Sequence, residues 1–289
     1  MIQMSMTPVS TRPLPPRSEG WSVLAGGGRF AVRLTRDPGE IAAGQRLRYQ
    51  VFYEEMAAQA TPAMAALGRD FDEFDQLCDH LMVHDLTRAP GDQVVGTYRL
   101  FPQALAESHG QYYSESEYAL RPTIDRLAAE AGGRLLELGR SCVHPEYRNN
   151  ATIQLLWRGI TTYMVENQIS YMFGCASLPG VDPDALAVPL SYLHHNHLAP
   201  PEMRIRALDD RYVPMNRLPA EGLDMRRALH AVPPLIKAYL RLGAYIGDGA
   251  VIDHQFGTTD VFILVPVARI APKYYSHFGR DEFSVVGSA

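Results

Sequence analysis

Apolar and polar residues along this chain repeat with a period near 2 in some stretches and near 3.6 in others, and the switches between them predict an α/β order of elements. Phe30–Leu34 alternates and reads as a first strand, stopped by Asp37 and Pro38. Ile41–Glu55 carries apolar residues at Ile41, Leu47, Val51 and Phe52 and reads as a helix, with Arg48 and Phe52 four apart on one face. Residues 57–70 are small and weakly patterned, which predicts a loop. Strands follow over Asp79–Val83 and Asp92–Phe101, then a polar connection over 103–133 that ends in a short helix at Pro122–Ala131. Leu135 opens the next strand, Thr152–Glu166 a helix, and Ile169–Ala176 a buried strand. In that helix Ile153, Leu156, Trp157, Ile160, Tyr163 and Met164 form an apolar stripe, expected to be core. Residues 181–232 are irregular apart from a helical patch at Leu190–His197. A proline-opened helix over Pro233–Leu242 and strands over Gly243–Ile252 and Thr258–Val267 complete the pattern.

Charges inside the apolar stretches single out the chemistry. The run Leu135–Asn150, LLELGRSCVHPEYRNN, carries Glu137 and Arg140 where a buried strand should carry neither. Strict alternation puts the two on opposite faces; Gly139 between them suggests a bulge that turns both toward one cleft and splays the sheet. The plainer reading is a structural Glu137–Arg140 ion pair. Arg148, Asn149 and Asn150 then form a basic, amide-rich turn at a helix N-terminus, a place suited to an anion. Arg99, in mid-strand, needs carboxylate partners, and Asp72, Asp75 and Glu137 are the candidates. Asp72 and Asp75 lack the glycine and terminal glutamate of a calcium loop, and His194, His195 and His197 do not share a helix face. No metal site is expected.

Composition narrows the setting. A net charge of −5 over 289 residues argues against nucleic-acid binding. Three scattered cysteines, Cys78, Cys142 and Cys175, fit buried thiols in a reducing cytoplasm. The Pro- and Ser-rich start has no continuous apolar core, and no run nears the roughly 20 apolar residues that span a bilayer. The expectation is a disordered lead over residues 1–28, one α/β domain over 29–275 and a loose tail over 276–289.

The segments RYQVF (Arg48–Phe52), FDEFDQLCDHLMV (Phe71–Val83), VVGTYRLF (Val94–Phe101) and ELGRSCVHPEYRN (Glu137–Asn149) together resemble the GNAT acyltransferase superfamily. GCASLPG (Gly174–Gly180) and GDGAVIDHQFGTTDVFILV (Gly247–Val265) resemble its ornithine-lipid acyltransferase branch, related to the acyl-homoserine-lactone synthases. The resemblance covers about residues 30–270 and implies a single GNAT-like domain (α/β, α+β), with a mixed, mostly antiparallel central sheet splayed at a bulged strand and flanked by helices. It further implies transfer of a fatty or 3-hydroxyfatty acyl group from acyl carrier protein to the α-amine of an amino acid, usually ornithine. Acyl-CoA is the alternative donor, and no permanently bound cofactor is implied. The lactone-synthase pattern of Arg, Phe, two Asp, Arg, Glu and Arg falls here on Arg48, Phe52, Asp72, Asp75, Arg99, Glu137 and Arg140. The turn departs from the GNAT pyrophosphate signature: Arg148 fits, but Ala151 replaces the first glycine and Ile153 the final small residue, which suits a carrier's single phosphate better than a coenzyme A diphosphate.

For aminolysis of a thioester the expected roles are Glu137 as general base, Arg99 and Arg140 holding the carboxylates or gripping the acceptor, and backbone N–H groups of Ser141, Cys142 and Val143 for the oxyanion. Covalent catalysis by Cys142 is disfavoured, because alternation buries it. Tyr98, Tyr171, Met172 and Phe173 are candidate walls for the acyl chain, and Arg148, Asn149, Asn150 and Arg158 for the carrier's pantetheine arm and acidic surface. The expected setting is cytoplasmic, with peripheral contact at the inner membrane suggested by an amphiphilic product. Alternatives are an N-acyl amino acid or lactone synthase, or a non-catalytic lipid- or carrier-binding module.

Overall fold

The strands assemble into one eight-stranded sheet with the order β1-β2-β3-β4-β5-β6-β8-β7. The computed structural model describes residues 22–25, 28–132 and 134–270; the expected tail and most of the expected lead lie outside the described residues. Ser22–Ala25, within that lead, forms edge strand β1 against β2 (Phe30–Thr35). β3 (Asp79–Asp85), β4 (Val94–Pro102), β5 (Arg134–Val143), β6 (Ile169–Pro179), β7 (Tyr245–Asp253) and β8 (Thr258–Pro266) follow. All neighbours run antiparallel except β5 and β6, which are parallel because a helix crosses over between them.

Helices cover the sheet where the sequence supplies caps. α1 (Pro38–Tyr49) starts at Asp37, whose carboxylate accepts from Gly39 and Glu40 N–H, and continues as a π-helical turn over Gln50–Glu55. α2 (Pro62–Leu67) occupies part of the expected 57–70 loop; Thr61 caps it and Gly68, at φ +57°, ends it. A one-and-a-half-turn helix of small residues leaves too little periodicity to read. The expected polar connection likewise contains α3 (Gln103–His109), a 3₁₀ turn at Tyr113–Ser116 and α4 (Arg121–Ala131). α5 (Asn150–Glu166) is the crossover helix, capped by Asn149. α6 (Ala187–His197), α7 (Met225–Ala231) and α8 (Pro234–Arg241) complete the set.

The buried face of α5 is rotated from the expected stripe. Leu155, Leu156, Ile160, Tyr163 and Met164 are buried, whereas Ile153 is exposed. The glycine at 159 sets the rotation: a Cβ there would lie 2.6 Å from a Leu81 methyl, so α5 lies directly on the sheet. A large core fills the α5, α6 and α8 side, and an aromatic one of Phe74, Phe101, Tyr112, Phe173 and Phe262 the α3 and α4 side. Among the described residues no helix is long and apolar enough to cross a membrane.

Candidate active site

Burying a charge demands a partner, and here the demand is met in a chain. Arg48, on α1, is 1% exposed; its Nε donates to Asp70 Oδ2 at 2.7 Å and an Nη to both Asp75 oxygens at 2.8 and 2.9 Å. Arg99 on β4 donates to Asp72 at 2.5 Å and lies 3.6 Å from Asp75. Arg140 on β5 donates to the other Asp72 oxygen at 3.1 Å and stands 3.4 Å from Asp70. Burial alone would raise the Asp75 carboxyl, but Arg48 and Arg99 bring it down to about 2. Asp72 is lowered too, with Arg99 and Arg140 outweighing burial. Three arginines and three aspartates, Asp70 among them, thus form one neutral network.

β5 carries the expected bulge. Thr97 faces Cys142 and Arg99 faces Gly139, so Tyr98 opposes two residues, Arg140 and Ser141. The left-handed backbone falls on Arg140 (φ +49°) and not on Gly139. That conformation costs of order 1–3 kcal/mol and is held by the ion pairs of the Arg140 side chain. Cys142 and Val143 are back in register with β4, which leaves Ser141 as the bulged member of the three expected oxyanion donors.

Glu137 makes no ion pair with Arg140 among the described residues. Its oxygens instead accept from Tyr113 N–H and Ser114 N–H, each at 2.8 Å, and from the Ser114 hydroxyl at 2.5 Å. Burial raises the Glu137 carboxyl while these bonds oppose the rise. The triple anchor fixes the turn over Tyr113–Ser116, and Tyr113 in turn lies 5.1 Å from the Arg99 guanidinium and 5.2 Å from that of Arg140. Phe256, in the β7–β8 turn, lies against the same Arg140 at 4.8 Å and meets Phe52 edge-on at 5.6 Å.

A second acidic group lies beyond this turn. Glu117, Asp253 and Asp260 bring carboxylate oxygens within 4.8 Å of one another. Glu117 is pushed up to about 7 by burial and then by Asp260 and Asp253, with Cys175 and Arg211 opposing. Asp260 rises to about 6, chiefly through burial, against hydrogen bonds from Ser177 and Thr258 and the charge of Arg140. Hard oxygen ligands at this spacing are also the donor set that would hold a divalent cation.

The splay runs up to this group. β5 pairs with β6 only from Arg134 to Glu137; past Phe173, β6 stays with β8 while β5 stays with β4. A small cavity in the gap is lined by Leu138, Met172, Phe173, Gly174, Cys175 and Tyr239, so two of the four expected acyl-chain walls border it. Tyr98 stands behind it, its hydroxyl 3.3 Å from that of the lining Tyr239, while Tyr171 packs with the aromatic core. At the rim the Cys175 thiol donates to Glu117 at 3.3 Å. Burial pushes the Cys142 thiol up to about 12 and that of Cys175 well above its usual value, which removes thiolate nucleophiles from the site.

The expected anion turn is engaged within the chain. Arg148 clamps Glu55 in a two-pronged pair at 2.5 and 2.6 Å, and the Asn149 side chain accepts the Thr152 N–H as the α5 cap. Asn150 is exposed in the first turn of α5 and Arg158 is half-buried further along it.

Residues 47–158 match the family model of the acetyltransferase (GNAT) domain. The L-ornithine N(alpha)-acyltransferase of Agrobacterium fabrum is 47% identical over 262 residues, 90% of this chain and 88% of that protein. Its namesake in Brucella abortus is 47% identical over 268 residues, 91% and 94% of the two chains. The chain belongs to the L-ornithine N(alpha)-acyltransferase family. Among solved structures, an N-acyl amino acid synthase from uncultured soil microbes is similar at 12% identity and a TM-score of 0.46, covering 86% of this chain and 94% of that one. A CoA-dependent acyl-homoserine lactone synthase is similar at 14% identity and a TM-score of 0.45, covering 86% and 85%.

The chain is thus an acyltransferase of the GNAT fold. In this acyltransferase Arg48, Phe52, Asp72, Asp75, Arg99, Glu137 and Arg140 do converge on one side of the splayed strand, while the Ser141 side chain turns to Tyr98 on the other. Arg148, Asn149 and Asn150 lie apart, around the start of α5. Asp70, Tyr113, Glu117, Asp253 and Asp260 were not expected; they sit in stretches read as loop, connection or hairpin. The signal that was there is a repeated acidic and aromatic spelling, GRDFDEFD and YYSESEY.

Proposed function

We propose that this acyltransferase moves a fatty acyl group from a carrier-protein thioester to the α-amine of ornithine. The observation that carries the acceptor is the Glu117–Asp253–Asp260 group: three carboxylates with one arginine in ion-pair range among the described residues, Arg211 at 3.8 Å from Glu117, are complementary to a molecule with two amino groups, and Cys175 joins the group to the splay cavity. Asp253 and Asp260 receive the δ-ammonium. Arg140, at 12% side-chain exposure the least buried of the three network arginines, is the partner of the acceptor carboxylate. The names of the relatives above support the same acceptor.

Glu117 is the general base of this reading. A base that works near neutrality needs a pKa near the working pH, and Glu117 is pushed up to about 7. Glu137, the expected base, has its oxygens taken by three donors, so it positions the Tyr113–Glu117 turn instead. Glu117 takes a proton from the α-ammonium; the neutral amine attacks the thioester carbon; the oxyanion is met by the N–H at Ser141; and collapse forms the amide and releases the carrier thiol. The acyl chain enters the gap between β5 and β6, which widens to receive it.

The donor reading rests on the turn before α5. It lacks the glycine that lets a backbone approach a diphosphate, and Arg148 is already paired with Glu55. The test of the acceptor is a comparison of ornithine with norvaline, which lacks only the δ-amino group. Wild type should prefer ornithine by at least about a hundredfold in kcat/KM, and Asp260→Asn should erode that preference. Equal use of the two acceptors by wild type would remove the ammonium pocket from the account.

A further inference from the structure

Charge is unevenly spread along this chain. Between Met225 and Arg241 lie Arg226, Arg227, Lys237, Arg241 and His230 without a single carboxylate, in a chain of net charge −5. α7 and α8 turn Ala228, Ile236 and Tyr239 inward. Arg226, Arg227, His230 and Arg241 are exposed, alongside Met225 and Leu229 at 47% and 43% exposure. Met225 and Leu229, four apart, share a face of α7. Among the described residues none of Arg226, Arg227, Lys237 and Arg241 pairs with a carboxylate, whereas Arg48, Arg99 and Arg140 in the reaction site all do. The nearest acid, Asp224, is occupied in accepting the N–H groups of Arg226 and Arg227 as the α7 cap.

This surface adjoins the chemistry. Tyr239, on the inner side of α8, lines the splay cavity together with Leu138 and Cys175. We infer that the outer face of α7 and α8 docks an acidic acyl carrier protein and thereby delivers its pantetheine arm to the gap between β5 and β6. The inference rests on the donor proposed above. Uncompensated arginines around a methionine and a leucine are what a protein interface with an acidic partner uses. A bilayer surface would need a wider apolar face than two side chains.

The test compares wild type with the double variant Arg226→Glu/Arg227→Glu and with Leu229→Ala, all at exposed positions away from the reacting groups. Two donors carry the same acyl group, one on the carrier protein and one on free pantetheine, and binding of the unacylated carrier is followed separately by fluorescence anisotropy. The expected result is a KM for the carrier donor raised roughly tenfold or more in the double variant, a matching loss in anisotropy, and unchanged kinetics with acyl-pantetheine. For wild type the carrier affinity should fall as salt rises. An unchanged carrier affinity overturns the inference. So does loss of sedimentation with phosphatidylglycerol vesicles alone, which would assign the face to a membrane. If wild type binds the carrier through these residues yet transfers from neither donor, the docking surface stands and the proposed reaction fails.

Discussion

Replacing Glu117 with glutamine separates the proposed base from every other carboxylate nearby. Glutamine keeps the shape of the side chain but neither accepts a proton nor repels Asp260 and Asp253. Glu117 sits at about 7 against an ordinary 4.5, so in wild type the site is half-armed at pH 7 and fully armed above pH 8. The pH profile of kcat/KM for the acceptor should therefore rise with a limb near pH 7 and then level. Glu117→Gln should lose about 10²–10⁴ in kcat/KM, the usual weight of a positioned base, and any residual rate should lack that limb. Stability should move the other way. A carboxyl whose folded pKa lies above its unfolded one stabilises the fold fully below about pH 4.5, and that contribution is lost as pH rises through about 7. The displacement corresponds to at most about 3 kcal/mol. Wild type should consequently melt lower at pH 8 than at pH 5.5, and Glu117→Gln should flatten the difference while gaining stability at pH 8. The assays are acyl transfer followed by thiol release over pH 5.5–9 and thermal melts over the same range. A variant that keeps its activity within threefold, or keeps the limb near pH 7, would refute the assignment of the base.

Two other substitutions test the scaffold. Glu137→Gln sets an amide against three donors that now bond a carboxylate, so it should destabilise the fold by about 1–3 kcal/mol and lower activity by loosening the turn that carries Tyr113 and Glu117. Its residual activity should keep the limb near pH 7; loss of that limb would return the base to Glu137. Gly174→Ala would put a methyl 2.2 Å from the Leu138 carbonyl oxygen, where the strands part, so it should lower the melting temperature and activity together. Unchanged melting would mean that the two strands separate freely.

The sheet was legible because its strands are long and their neighbours break them cleanly: Asp37–Pro38, the turn before Val94, and the glycine-opened ends of β7. The bulge was legible for a related reason, since only an irregular strand can place charges at 137 and 140 in a core. Its detail was not. Gly139 marked the spot, yet the unusual backbone angle is borne by Arg140, whose guanidinium is tied to Asp70 and Asp72 from another segment. The same limit hid the acidic group: Glu117 lies in a 3₁₀-turn connection, and Asp253 and Asp260 flank a hairpin more than 130 residues later. Periodicity reports which face a residue takes within its own element. It carries nothing about which distant element arrives opposite.

The most direct test of the account is the product. Wild type and Glu117→Gln would each be given a 3-hydroxyacyl carrier protein and an equimolar mixture of ornithine, lysine, norvaline and glutamine, with products identified by mass spectrometry. The expected result is N-acyl ornithine as the dominant product, acylated on the α-amine, and its near-complete loss in the variant. A dominant acylated glutamine or norvaline, or no acylated amine at all, would contradict it.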